Sequence, residues 1–100
     1  MPFLIALTIH LHFPDSGSLK GKRKELLSVR SALGRRFGAS VAEVDDQDLW
    51  QRATLAATLV SRTAGDVEHV ADAIERFLYA RFPESVRVER RLVSFQDLEA

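Results

Sequence analysis

The sequence predicts an α+β domain in which two helices pack on one antiparallel sheet, with element order βαββαβ. Three observations carry that expectation. Residues 3–13 alternate in hydropathy with period two. Residues 19–37 and 63–82 each carry an apolar stripe at helical spacing. Between those two stretches lie two short alternating runs joined by a polar turn.

In the first run Phe3, Ile5, Leu7, Ile9, Leu11 and Phe13 fall on one face. Leu4, Ala6, Thr8, His10 and His12 fall on the other. Pro14 ends the strand, and Asp15-Ser16-Gly17-Ser18 reads as a turn. Ser18 is suited to N-cap the helix that follows, because its hydroxyl can accept from a free amide of the first turn. Leu19, Leu26, Val29, Leu33 and Phe37 then form the stripe, and Gly38 suits the left-handed residue that stops a helix. Gly34 weakens it mildly.

Residues 40–44 and 53–61 read as the two arms of a hairpin, with 45–52 as the connection. Thr63 with Asp66 three residues on has the form of a capping box. Val67, Val70, Ala71, Ile74, Phe77, Leu78 and Phe82 make the second stripe, which Pro83 closes. The last strand runs from about 85 to 95. Its parity breaks between Val88 and Leu92–Val93, which predicts a bulge near Arg90–Arg91. Two amphipathic helices each need a sheet face, and right-handed crossovers join the strands. The result is a ferredoxin-like sandwich: strand order 4-1-3-2, with both helices on one side. One hundred residues make one such domain, with a core at about 3–95 and a short tail at 96–100.

Composition narrows the function classes. Cysteine is absent, which excludes disulfides, thiolate metal sites and cysteine nucleophiles. Residues 1–13 have no basic flank and no small-residue cleavage site, so they read as a strand rather than a signal peptide or membrane span. The expected location is cytoplasmic, with no membrane partner. Formal net charge is zero, so electrostatic binding must be local. Charge is indeed segregated. Residues 19–37 carry a local charge of +6 and residues 38–50 one of −4.

The topology brings these two stretches together, because the end of the first strand, the start of the first helix and the hairpin connection share one pole. Residues 15–25, DSGSLKGKRKE, resemble a phosphate loop without being one. Gly17 and Gly21 are separated by three residues instead of four, and Arg23 stands where a hydroxyl belongs. A helix start can still hold an anion. Basic residues in a first turn oppose the helix dipole by about 0.3–1 kcal/mol each, which points to a partner or to compensation within the chain. The candidate contacts for RNA phosphate or another partner are Lys20, Lys22, Arg23, Lys24 and Arg35, with Trp50 and Arg52 beside them. Trp50 suits either stacking or covering the open end of the core. Asp45, Asp46 and Asp48 suit turn formation and pairing with Lys22, Arg23 or Arg52 better than a metal, since no glycine-bearing cation loop is present. His10 and His12 share a face without a third ligand, so no metal site is assigned.

The uncovered sheet face is expected to show Leu4, Ala6, Thr8, Thr54, Ala56, Thr58 and Val60, with Glu43, His10, Arg87 and Glu89 around them. Small residues there suit self-association better than base stacking. No nucleophile–base pair, paired carboxylates or cofactor fingerprint occurs, so no catalytic residue and no cofactor is assigned.

Two stretches carry a family resemblance. One is Ser18-Leu19-Lys20 with Lys22-Arg23. The other is Val41-Ala42-Glu43-Val44-Asp45 through Asp48-Leu49-Trp50-Gln51-Arg52-Ala53-Thr54. With the leading strand they resemble the small bacterial YlxP-like proteins, a family of unknown function, from about Phe3 to Phe95. Gly21 departs from that pattern, where a helix-favouring residue is expected. The resemblance implies the same ferredoxin-like fold and supplies no catalytic residues. Members are often encoded beside translation-initiation and ribosome-maturation factors, which implies association with RNA or a ribosomal particle. The leading expectation is a non-enzymatic protein contacting RNA through the basic first helix. The alternative is a homodimer formed through the open sheet face, and a small acyl or phosphoryl hydrolase ranks third.

Overall fold

The computed structural model describes residues 1–14 and 17–99. The elements are β1 (Phe3–His12), α1 (Leu19–Phe37), β2 (Ser40–Asp45), β3 (Arg52–Ser61), α2 (Ala64–Arg81), β4 (Val86–Ser94) and a short α3 (Phe95–Leu98). The four strands form one antiparallel sheet ordered β2-β3-β1-β4. This is the expected 4-1-3-2 order read from the other edge. α2 packs on β1, β3 and β4, while α1 lies over β2.

The alternation of β1 does what period two requires. Ile5, Leu7, Ile9 and Leu11 pair with Leu59, Ala57, Leu55 and Ala53 of β3, and all eight are buried on the helix side. Leu26, Val29 and Leu33 of α1 and Val67, Ala71, Ile74 and Leu78 of α2 complete the core. Phe13 and Phe82 close it at one end, edge to face with ring centroids 5.8 Å apart.

Local signals set the helix ends. The Ser18 hydroxyl accepts from the Gly21 amide at 3.1 Å, and the Thr63 hydroxyl accepts from the Asp66 amide at 3.1 Å. Gly38 adopts φ 72°, and its amide donates to the carbonyls of Gly34 and Leu33 at the end of α1. The expected turn at 15–18 lies partly outside the described residues, at Asp15 and Ser16.

Three expectations need correction. β4 pairs with β1 in unbroken register from Val86 to Ser94, so no bulge occurs at Arg90–Arg91. Arg90 simply occupies the helix-side position and reaches Asp72 and Glu75 of α2 at 2.8 and 2.7 Å. The bulge sits on β2 instead, where the register shifts between Glu43 and Asp45. Glu43 pairs with Leu55 and therefore lies on the helix side, not beside the open face. Finally, the last strand stops at Ser94 rather than at 95, and Phe95 opens the short helix α3. Ser94 caps α3 by accepting from the Gln96 amide at 3.2 Å. The signal was in the sequence, since Ser94 and Asp97 have capping-box spacing.

Candidate functional site

The pole where β1 ends gathers the residues that the sequence singled out. The Phe13 amide donates to the Gln51 carbonyl at 2.7 Å, and the His12 amide to the Ser85 carbonyl at 2.9 Å. These bonds fasten the β2–β3 connection and the start of β4 to the end of β1.

Lys22 is the centre of this pole. Its side chain is 1% exposed. Its Nζ donates to the carbonyls of Asp46 at 2.6 Å and Leu49 at 2.5 Å, with a longer contact to Gln47 at 3.5 Å. Glu43 Oε2 lies 3.6 Å from the ammonium, within ion-pair reach but too far for a hydrogen bond, and among the described residues it accepts none elsewhere. A buried ammonium needs both charge balance and full use of its N–H groups, and this nest of carbonyls with one carboxylate provides them. Lys22 therefore leaves the set of side chains that an outside partner can touch. The signal was available: Lys22, Leu26, Val29 and Leu33 share one helical phase, so the buried stripe passes through the lysine.

The connection that Lys22 holds is tightly built. Asp46 adopts φ 64°, an uncommon backbone for a residue with a side chain. Its carbonyl accepts the Leu49 amide at 3.1 Å as well as Lys22. Its Oδ2 accepts from the Thr54 hydroxyl at 2.9 Å, and its amide donates to Asp45 Oδ1 at 2.8 Å. Asp45 and Asp46 thus each spend one carboxylate oxygen on the connection and its junction with β3. Among the described residues, none of Asp45, Asp46 and Asp48 pairs with a basic side chain, contrary to the expectation of pairing with Lys22, Arg23 or Arg52. Nor, among the described residues, do three His, Asp or Glu side chains gather into a group that could hold a metal.

The remaining cations stay outside. Lys20, Arg23, Lys24 and Arg35 are exposed on α1, as is Arg52 at the start of β3, and among the described residues none has an ion-pair partner. No acidic residue stands in the first turn of α1. Glu25, the one acidic residue of that helix, faces α2 and lies 3.7 Å from Arg81. Trp50 is 53% exposed and Leu49 49%, so the indole does not cover the core; Phe13 and Phe82 do that. The Lys22 clamp on the Leu49 carbonyl ties α1 to the residue that precedes Trp50.

Two depressions flank the pole. One of about 590 Å³ lies between the start of α1 and the end of α2, lined by His12, Phe13, Gly21, Glu25, Arg81 and Phe82 among others. A smaller one of about 260 Å³ lies on the open sheet face, lined by His10, His12, Asp46, Arg52, Thr54 and Arg87 among others. Lower on that face, Ala6, Thr8, Ala42, Ala56 and Thr58 floor a shallow hollow of about 400 Å³. Among the described residues, no helix is long and apolar enough to cross a membrane.

The architecture defines the class as a ferredoxin-like α+β sandwich. It superposes on the de novo designed protein Foldit4 with TM-score 0.61 at 10% identity, covering 94% of this chain and 98% of that one. A dimeric ferredoxin-like protein from an uncultured marine organism matches with TM-score 0.52 at 8% identity, over 93% and 94% of the two chains. At such identities the likeness is one of fold. The family follows from the sequence. Residues 4–91 match the family described as protein of unknown function (DUF503), and the chain belongs to that family. It is similar to the uncharacterized protein YlxP of Bacillus subtilis (strain 168), with 32% identity over 77 residues, which is 77% of this chain and 83% of YlxP.

Proposed function

We propose that the protein is a non-enzymatic RNA-contacting factor that docks single-stranded or loop RNA on the outward face of α1. One observation carries the reading. Lys20, Arg23, Lys24 and Arg35 remain exposed and without carboxylate partners among the described residues, although an acidic connection lies against the same helix. In a chain of zero net charge, such a concentration gives a local positive surface. From Lys20 to Arg35 the helix rises about 22 Å, enough to follow several phosphates. The exposed Trp50, whose preceding residue is tied to α1 through Lys22, serves as a stacking platform, worth about 1–3 kcal/mol per base on this kind of surface. Lys22 orients that platform and does not itself meet RNA. Association with a ribosomal particle, as the family resemblance implies, is one setting for such contacts.

The test is RNA binding by the full chain as a function of salt. Each phosphate neutralised on a single strand contributes a slope of about −0.7 in log K against log salt. The Lys20→Ala/Lys24→Ala variant therefore flattens the slope by about 1.4 and weakens all RNA sequences alike. Trp50→Ala lowers affinity with the slope unchanged. Absence of binding at low salt to a panel that includes ribosomal RNA overturns the reading.

A second reading rests on the hollow formed by Ala6, Thr8, Ala42, Ala56 and Thr58. We infer that a second copy of the chain occupies it. The centre of the face is uncharged, while Arg87, Glu89 and Arg91 stand at its β4 side, an arrangement that a two-fold axis can pair with itself. Val60 adds an exposed apolar side chain on the same strand face. The marine structural neighbour is described as dimeric, so the architecture is compatible with pairing. Sedimentation of the wild-type chain gives a dimer, and Thr8→Lys or Ala56→Lys gives a monomer. A wild-type monomer at high concentration rejects this reading.

A further inference from the structure

The open-face corner at the same pole carries a cluster that the α1 surface does not use. Four side chains converge on the depression of about 260 Å³: His10 and His12 from β1, Arg52 from β3 and Arg87 from β4. His12 stands opposite Arg52 in the β1–β3 register, and His10 stands between Thr54 and Arg87 across the sheet. Each carboxylate nearby spends one oxygen on a neighbouring side chain. Glu89 Oε1 accepts from His10 Nε2 at 2.8 Å and from Arg87 Nη1 at 2.9 Å, and Asp46 Oδ2 accepts from Thr54. Among the described residues the exposed Arg52 guanidinium and the exposed His12 imidazole have no partner. Unpartnered donors from two strands in a concave site, with four imidazole and guanidinium groups against the single lining carboxylate of Asp46, have the character of an anion subsite.

We propose that this corner binds one phosphate group. The Arg52 guanidinium meets two of its oxygens side by side, and the His12 imidazole donates to a third. Arg87 directs its remaining N–H groups to the rim while Glu89 steadies it together with His10. The assignment of that phosphate to an RNA backbone rests on the reading above, since Arg52 follows Trp50 by two residues and leads a strand from α1 around the hairpin onto the sheet. The subsite itself rests only on the geometry of the corner.

Histidine-ring NMR of the labelled full chain tests it with inorganic phosphate as probe, and then with a short single-stranded RNA. Inorganic phosphate shifts the His12 and His10 ring signals saturably, with an affinity of about 1–10 mM. Arg52→Gln weakens that affinity at least about tenfold, a change of one decade in Kd. Arg62→Gln, an exposed arginine at the opposite pole, leaves it unchanged. RNA produces the same ring shifts at far lower concentration, and Arg52→Gln removes them. Ring signals that do not respond to phosphate, or an Arg52→Gln variant that binds it as the wild type does, overturn the subsite. Saturable phosphate shifts in a protein that binds no RNA uphold the subsite and overturn the RNA reading.

Discussion

Replacing Lys22 by Met is the sharpest test of how this pole is built. The substitution keeps most of the buried stem and removes the ammonium. The carbonyls of Asp46 and Leu49 then lose charged donors at 2.6 and 2.5 Å. Hydrogen bonds to charged groups contribute about 1.5–3 kcal/mol each. Glu43 is left on the helix side without its counter-ion, and removing one partner of a buried pair typically costs about 3–5 kcal/mol. Glu43 keeps 22% exposure and can turn towards water, and Met retains the apolar contacts of the stem, so these losses do not add in full. The expected net cost is about 3 kcal/mol. For a chain of this size that lowers Tm by roughly 12–24 °C. Denaturant unfolding followed by circular dichroism measures it, and Trp50 emission reports the loosened connection separately. Lys24→Met, two residues on but exposed, stays within about 0.5 kcal/mol of the wild type. Glu43→Gln added to Lys22→Met recovers part of the loss, a coupling of about 0.5–3 kcal/mol. If Lys22→Met is as benign as Lys24→Met, the buried clamp is not what holds the hairpin.

Two further outcomes are expected. Gly38→Ala forces a side chain into the left-handed region at φ 72° and costs about 1–2 kcal/mol by thermal unfolding; no atom lies within 4 Å of the added Cβ, so the cost is conformational and not a clash. The hydrogen bond from His10, with the charge of Arg87 beside it, holds the Glu89 carboxyl below its ordinary titration range. The small stabilisation that follows is present above the unfolded-state value and is lost as pH falls through the folded one, and carboxyl NMR titration of the wild type against His10→Ala shows the Glu89 midpoint moving up in the variant.

Much of this protein was legible in its sequence because the relevant forces are local. Period two in β1 and β3 and the stripes of α1 and α2 decide which side chains face inward, and each pattern is contained within one element. Ser18, Gly38 and Thr63 set helix ends through contacts made three to five residues away. Topology followed from those elements, and with it the meeting of the basic helix start and the acidic connection.

The sequence could not decide what those opposite charges do when they meet. Residue types suggested lysine against aspartate. The folded chain instead points the Lys22 ammonium at backbone carbonyls of Asp46 and Leu49, more than twenty positions away, and turns the Asp46 carboxylate onto Thr54. Carbonyls are the same at every residue, so sequence does not mark which of them will serve as acceptors. The bulge on β2 puts Glu43 rather than an aspartate beside Lys22, and bulge position depends on strand pairing, not on composition. The sequence by itself therefore determined the elements, the core and the pole where charge collects. Only the tertiary structure decided that one lysine is buried as a clamp while its neighbours stay outside, because burial of a charge depends on acceptors that arrive from distant segments.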